Sequence, residues 1–210
     1  IDLSFPSIVG ITSLTFGMLL TSTDGNFFIS FALATALGMF AGLVNGLLVT
    51  KIGIPSIVAT IGTLFFWRGL VNVISQGSGI AIVDEADGTW HHMIFVDKLF
   101  NLIPAQFIWF VVLTGLMQWV YRYHKFGNHI HFVGDNKASA QMMGIDVDRV
   151  KIIAFVQLGF FSALAGIFTM YEMLYFWPTQ GSGLMLTTLA AVFVGGTPVF
   201  GGRGTVYGTF

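Results

Sequence analysis

The sequence has no cysteine, which excludes disulfides, thiol nucleophiles and cysteine-ligated metals. It is also poor in charge. Asp, Glu, Lys and Arg make up 9% of its 210 residues, against about 25% in ordinary soluble domains. A formal net charge of −1 offers no basic surface for nucleic acid. No Ser–His–Asp order and no paired carboxylates converge on one place, so the chain has no residues on which to rest catalysis. His124, His129 and His131 share a loop, but no Asp or Cys joins them at ligand spacing, so no metal site is expected. His91 and His92 stand beside Trp90 in an acidic stretch and suggest either a contact with a soluble partner or an amphipathic interfacial segment. The glycine-rich "GGTPVFGGRG", 195–204, lacks the Gly-Lys-Ser/Thr ending that cradles and neutralises phosphates. Its glycines suit backbone that bends sharply at a membrane surface.

What the chain has is length without charge. Mean hydropathy is +0.81, and there are 26 Gly and 22 Phe. Charge-free runs cover Phe5–Thr23 and Phe27–Thr50, separated only by the turn "TDGN". A third run follows "KIGIP" from Ser56 towards Ser75, with Arg68 inside it. Further apolar runs lie at Ile103–Val120, Ile152–Phe176 and Leu184–Phe200, the last so rich in glycine that it is either a span or a re-entrant segment. The fold class is therefore all-α and polytopic, with about six membrane segments. Lipid offers backbone groups no partner outside their own segment, so helices are the expected form.

Charge bias orients the chain. Arg122, Lys125, Lys137, Arg149 and Lys151 cluster in 121–151, whereas 76–103 holds Asp84, Glu85, Asp87 and Asp97 with Lys98 as its only Lys or Arg. The first region is expected to be cytoplasmic and the second extracytoplasmic. Residues 1–210 form one transmembrane domain in this reading.

Within the basic loop, "GDNKASAQMMGI" interrupts an apolar chain with a polar, helix-like dozen. Asp135 or Asn136 suits an N-cap, and Gly144 suits the left-handed position past a helix end. The residues between, Lys137 to Met143, make about two turns. Ala138 and Met142 fall on one face, with Ser139 and Met143 beside them. Such a helix either packs on its own protein or fits a groove on a cytoplasmic partner, for which methionine is well suited.

Other polar and small residues mark the spans. Ala34, Gly38, Gly42 and Gly46 recur every four residues, a stripe that lets helices approach closely, within the chain or between two copies. Asn45, Thr60, Asn72 and Gln157 are uncharged hydrogen-bonding groups that either meet a neutral polyol or join helices. "GIPS", Gly53–Ser56, begins a span normally with Pro55 near its first turn, or starts a broken helix lining a pathway. Arg68 either snorkels or marks a break, and Glu172 stands near a span end.

Taken together, "FGNHIHFVGDNKASAQMMGIDVDRVKIIAFVQLGFFSALAGI", "LTTLAAVFVGGTPVFGGRGTVYGTF", the opening "IDLS" and "IGIPSIVATIGTLFFWRGL" resemble, in order, the bacterial ABC-type simple-sugar permeases of ribose, xylose and galactose importers. Gly134, Asn136, Ala138, Ala140, Gly144, Ile145, Arg149 and Lys151 fit that family's coupling-loop pattern, while Lys137, Ala138 and Ser139 stand where acidic residues are frequent in it. The resemblance implies a piece of a longer permease without its first and last spans. It also implies that 122–150 is a coupling loop touching an ATP-binding cassette subunit through Gly134, Asn136, Ala138, Ala140, Met142, Met143 and Gly144. ATP with Mg²⁺ would bind on that partner, and this chain would hold no cofactor. A second permease subunit, identical or different, an extracytoplasmic sugar-binding protein and membrane lipid complete the implied assembly in a bacterial cytoplasmic membrane. Alternatives are a branched-chain amino-acid or nucleoside permease, a membrane scaffold, or an ATP-independent secondary transporter, which would require buried carboxylates.

Overall fold

The computed structural model describes residues 1–99, 102–198 and 204–209. Four of its helices are long and apolar enough to cross a membrane: α1 (Phe5–Ser22), α2 (Phe27–Leu47, continued by a π-helical turn Leu48–Ile52), α3 (Ser56–Ser75) and α9 (Val147–Met173). Between α3 and α9 come β1 (Ile80–Ala81), the short helices α4 (Val83–Ala86) and α5 (Trp90–Val96), a β2–β3 hairpin (Lys98–Leu99 with Ile103–Pro104), and α6 (Ala105–Tyr123). Then follow α7 (Lys125–Asp135) and α8 (Lys137–Met142). After α9, β4 (Tyr175–Phe176) pairs antiparallel with β1, and α10 (Leu184–Val194) and α11 (Val206–Thr209) end the described chain.

Local chemistry sets the boundaries. Pro6 opens α1, where its missing N–H is no loss. The "TDGN" reversal is made by Asp24 and Gly25 in left-handed backbone, and Asn26 caps α2 by accepting from Ile29 N. Helix α3 runs unbroken through Arg68, so "GIPS" is an ordinary helix start with Pro55 at its N-cap. At 19 residues, α6 has the length of a span, about 28 Å, but Gln106, Gln118 and Arg122 dilute its apolar face. The apolar run at 184–200 resolves differently. Helix α10 has 11 residues, about 16 Å, half of a hydrocarbon core of about 30 Å. It is a half-length segment, and Val199 and Phe200 lie outside the described residues.

Helix α1 is the centre of the bundle, buried on nearly every face among α2, α3 and α9. Ile8, Ile11, Leu14, Phe16 and Leu20 form the core with Trp67, Val71, Ile167, Met170 and Tyr171. Outward faces carry large apolar side chains instead of charges: Phe65 is 69% and Val73 74% exposed. Such a surface suits lipid or another apolar subunit. The tightest contact is α2 on α9. A Cβ on Gly38 would stand 2.6 Å from Gly159 O, and one on Gly46 3.0 Å from Ile152 Cα. The small-residue stripe, with Ala34 fully buried, therefore lies against this chain's own helices.

Candidate functional site

Helices α7 and α8 stand at the basic end of the bundle, joined to the start of α9. Phe126, Ile130 and Val133 recur at i, i+4 and i+7 along α7 and pack with Ala140, Ile145, Val147 and Val150 into a small separate core. The sequence reading missed α7. Its signal was that apolar spacing, half hidden among His124, Lys125, His129 and His131.

Helix α8 sits on this platform. Asn136, not Asp135, caps it, its side chain accepting from Ser139 N at 3.0 Å; Asp135 is the last residue of α7. Gly144 adopts φ +78°, and Ile145 N returns to Ala140 O at 3.0 Å, the closed end that a left-handed glycine permits. Ala140 is fully buried in the small core, while Met142 and Met143 are 82% and 56% exposed. The helix thus packs on its own protein through Ala140 and presents the two methionines outward. Ala138 and Gly144 are exposed beside them, and Gly134 lines a cleft of about 500 Å³ between α6, α7 and α11. Lys51 and Asp148, 3.2 Å apart, tie the end of α2 to α9 beside the platform.

A polar seam runs between α1, α2 and α3. Asn45 Nδ2 donates to Asp2 Oδ2 (3.1 Å) and to Ser4 Oγ (2.7 Å), while Asn45 Oδ1 accepts from Thr63 (2.7 Å). Ser4 N and Oγ both donate to Asp2 Oδ1 at 2.7 Å, and Leu3 N donates to Thr60 Oγ1 at 3.0 Å. Asn45 and Thr60 therefore join helices, and both oxygens of the buried Asp2 carboxylate are engaged. Asn72 is exposed on α3, and half-buried Gln157 donates to Met117 on α6. These polyol candidates do not converge on one point.

Arg68 meets irregular backbone. Its Nη1 donates to Pro178 O and Gln180 O, each at 2.9 Å, and Nη2 to Pro6 O at 3.4 Å. The guanidinium caps carbonyls in the segment between β4 and α10 that has no helix of its own. At the acidic end, His91 is buried, stacked on Phe27, with Nδ1 2.9 Å from the Tyr171 hydroxyl. Burial and the adjacent His92 push its pKa below the usual histidine value. Glu172 is exposed nearby. Among the described residues no three His, Asp or Glu gather to hold a metal.

The chain is 35% identical over 209 residues to the autoinducer 2 import system permease protein LsrC of Photorhabdus luminescens, covering 99% of this chain and 61% of that protein. It is equally similar to LsrC of Yersinia pseudotuberculosis serotype O:3, with 58% of that protein covered. It thus spans about three fifths of the curated relatives it matches. No solved structure matches it. These relatives are named as permeases, transport components and not enzymes. The family described as branched-chain amino acid transport system / permease component matches residues 1–210, and the chain belongs to that family.

Proposed function

We propose that this chain is the membrane-spanning part of a permease in an ATP-driven importer of simple monosaccharides in a bacterial cytoplasmic membrane. The observation that carries the reading is α8. A capped helix fixed through buried Ala140 to the platform of α7 and α9, with Met142 and Met143 left outside, is built to pass force in both directions. In a permease of this family its partner is an ATP-binding cassette subunit, which binds and hydrolyses ATP with Mg²⁺. Motion there reaches α9 directly and, through the α2–α9 contact, the bundle, giving alternating access. The lysines and arginines at this end support a cytoplasmic position for it. The acidic end, with 76–103, then faces an extracytoplasmic sugar-binding protein, and a second permease subunit, identical or different, completes the pathway.

A neutral solute fits the polar groups available. Arg68, the cation deep in an apolar helix, directs three of its N–H donors to backbone carbonyls, a structural use of the cation that counts against its serving an amino-acid carboxylate. A secondary transporter would need a free carboxylate within the helices. Asp2 is engaged on both oxygens and Glu172 is exposed. The test is co-purification of the full-length protein with its ATP-binding subunit, comparing wild type with Met142→Glu, Met143→Glu and Ala140→Trp. ATPase activity is expected to co-purify with wild type and to be released or uncoupled by all three. Wild type without an ATPase, or an ATPase indifferent to the two surface changes, overturns the reading.

A further inference from the structure

Residues 177–183 enter the bundle without forming a helix. Phe176 still pairs with Ile80 at the acidic end. The chain then descends through tight turns, Gln180 N bonding Trp177 O at 2.9 Å and Ser182 N bonding Thr179 O at 3.1 Å. Its depth follows from what it touches. Arg68, which holds it, lies seven positions before the end of α3, about 10 Å at the helical rise. Gly10 on α1, whose Cβ would stand 3.1 Å from Gln180 O, lies twelve positions before Ser22, about 18 Å. Gly181 in turn meets Pro6, one residue into α1, so the turn's contacts run from Gly10 to the far end of that helix, within the depth of a hydrocarbon core of about 30 Å. Gly181 is in left-handed backbone, packed so closely on Pro6 O that a side chain has no room. The half-length α10 starts directly behind it, at Gly183, with no side-chain cap.

Arg68 satisfies this turn's carbonyls but not its side chain. Gln180 is 1% exposed, and neither its Nε2 nor its Oε1 finds a hydrogen-bond partner among the described residues. The hydroxyl of Ser7, one turn before Gly10 on the facing stretch of α1, is likewise unpartnered. A buried carboxamide with both ends unsatisfied is costly, and leucine of similar size would avoid the cost. Short polar turns and helix ends at mid-depth are where transporters meet their solutes.

We infer that the Gln180 carboxamide, on the turn held by Arg68, is the group that recognises the solute at the occluded middle of the pathway, and that the solute is a neutral polyhydroxylated molecule. A carboxamide offers two donors and one acceptor with no charge, the complement of adjacent hydroxyls, each of which donates and accepts. It has no charge with which to neutralise a carboxylate or ammonium, and the nearby guanidinium is turned to backbone carbonyls of the turn. This assignment rests on the importer reading and names the recognition site within it.

The test is uptake by the full-length protein, reconstituted with its ATP-binding and binding-protein partners in liposomes, with labelled ribose, xylose and galactose as probes. Gln180→Leu is expected to assemble with the ATPase and melt no lower than wild type, since it removes unsatisfied polar atoms. KM for the transported sugar should rise at least about tenfold, which is about 1.4 kcal/mol, the scale of one hydrogen bond. Gln180→Asn, keeping the amide on a shorter arm, should fall between them. Gln180→Met serves if the branched side chain disturbs assembly. Wild-type uptake with KM unchanged, within about twofold, in the Leu and Met variants overturns the Gln180 assignment alone. No ATP-dependent uptake of any of the three sugars by wild type overturns the importer reading, and this assignment with it.

Discussion

Gly42→Ala tests the packing argument most sharply, because one methyl meets backbone. On α2 the new Cβ would fall on the carbonyl oxygen of Phe155 in α9, closer than any real contact, and 3.0 Å from Val156 Cα. Neither atom belongs to a flexible side chain that can swing away. Relief requires the two helices to part by about 1 Å, and a gap of that size forfeits about a quarter to a half of the dispersion energy of the atoms lining it. Overpacking of this kind costs about 1–3 kcal/mol. Against it stands the gain of alanine over glycine inside a helix, about 0.8–1 kcal/mol. The clash exceeds that gain over nearly all of its range, leaving a net loss of up to about 2 kcal/mol. Gly62 and Gly115 are the controls, since a Cβ on either meets nothing within 4 Å. There only the helix gain remains. The helix gain cancels in the comparison, so the gap between Gly42→Ala and the controls is about 1–3 kcal/mol, or about 2–12 °C at 2–4 °C per kcal/mol. Thermal unfolding of the detergent-purified full-length protein measures it. If Gly42→Ala melts with or above Gly62→Ala, the close approach of α2 and α9 is wrong.

Two other perturbations probe the polar groups. Asn45→Ala removes one member of a bonded seam and leaves Asp2 Oδ2 without its partner, while the Thr63 hydroxyl keeps Thr60 O; a loss of about 1–3 kcal/mol is expected, and a melting temperature within 1–2 °C of wild type, under about 1 kcal/mol, refutes the network. His91 has a folded pKa below its ordinary value of 6.5, through burial and the charge of His92. The unfolded chain takes up that proton first as pH falls, so the stability present above about 6.5 declines below it. His91→Gln should flatten this slope between about pH 6.5 and 5, and an unchanged slope refutes the assignment.

Much of this fold is legible from the sequence because lipid and helix ends impose local rules. The charge-free runs at Phe5–Thr23 and Phe27–Thr50 meet a strict length requirement, and α1 and α2 match them within a few residues. Asn136 and Gly144 bound α8 because a cap and a left-handed glycine act within one turn. The half-length of α10 was only partly legible: Gly195 and left-handed Gly196, which end it, stand in the sequence, but Leu184–Phe200 is apolar enough for a full span, so a span and a re-entrant segment both stayed open. The bonding of Asn45 was not legible, because its partners lie 43, 41 and 18 residues away. Arg68 reads as an anomaly in an apolar run until the carbonyls it caps, 110 and 112 residues later, are brought beside it.

Polar side chains in this bundle differ in what their removal should do, and the difference follows from where their hydrogen bonds go. Thr12, Thr15 and Thr35 bond carbonyls one turn back in their own helices, so replacing them changes little beyond local bending. Asn45 and Arg68 bond across elements, so replacing them should unsettle the bundle itself. Ser13 and Trp67 leave a buried polar atom unpartnered among the described residues, but both lie on regular helices inside the packed core. Gln180 is different in kind: both its polar atoms are free, and its backbone is the irregular turn that Arg68 holds. A chain that caps that turn with a buried cation, and then leaves the side chain it presents without a partner, keeps a rigid mount under an unsatisfied group. A rigid mount holds a recognition group and a packing defect alike, so the two part only in uptake: Gln180→Leu raises KM if the carboxamide meets the solute and leaves it unchanged if the group is a defect.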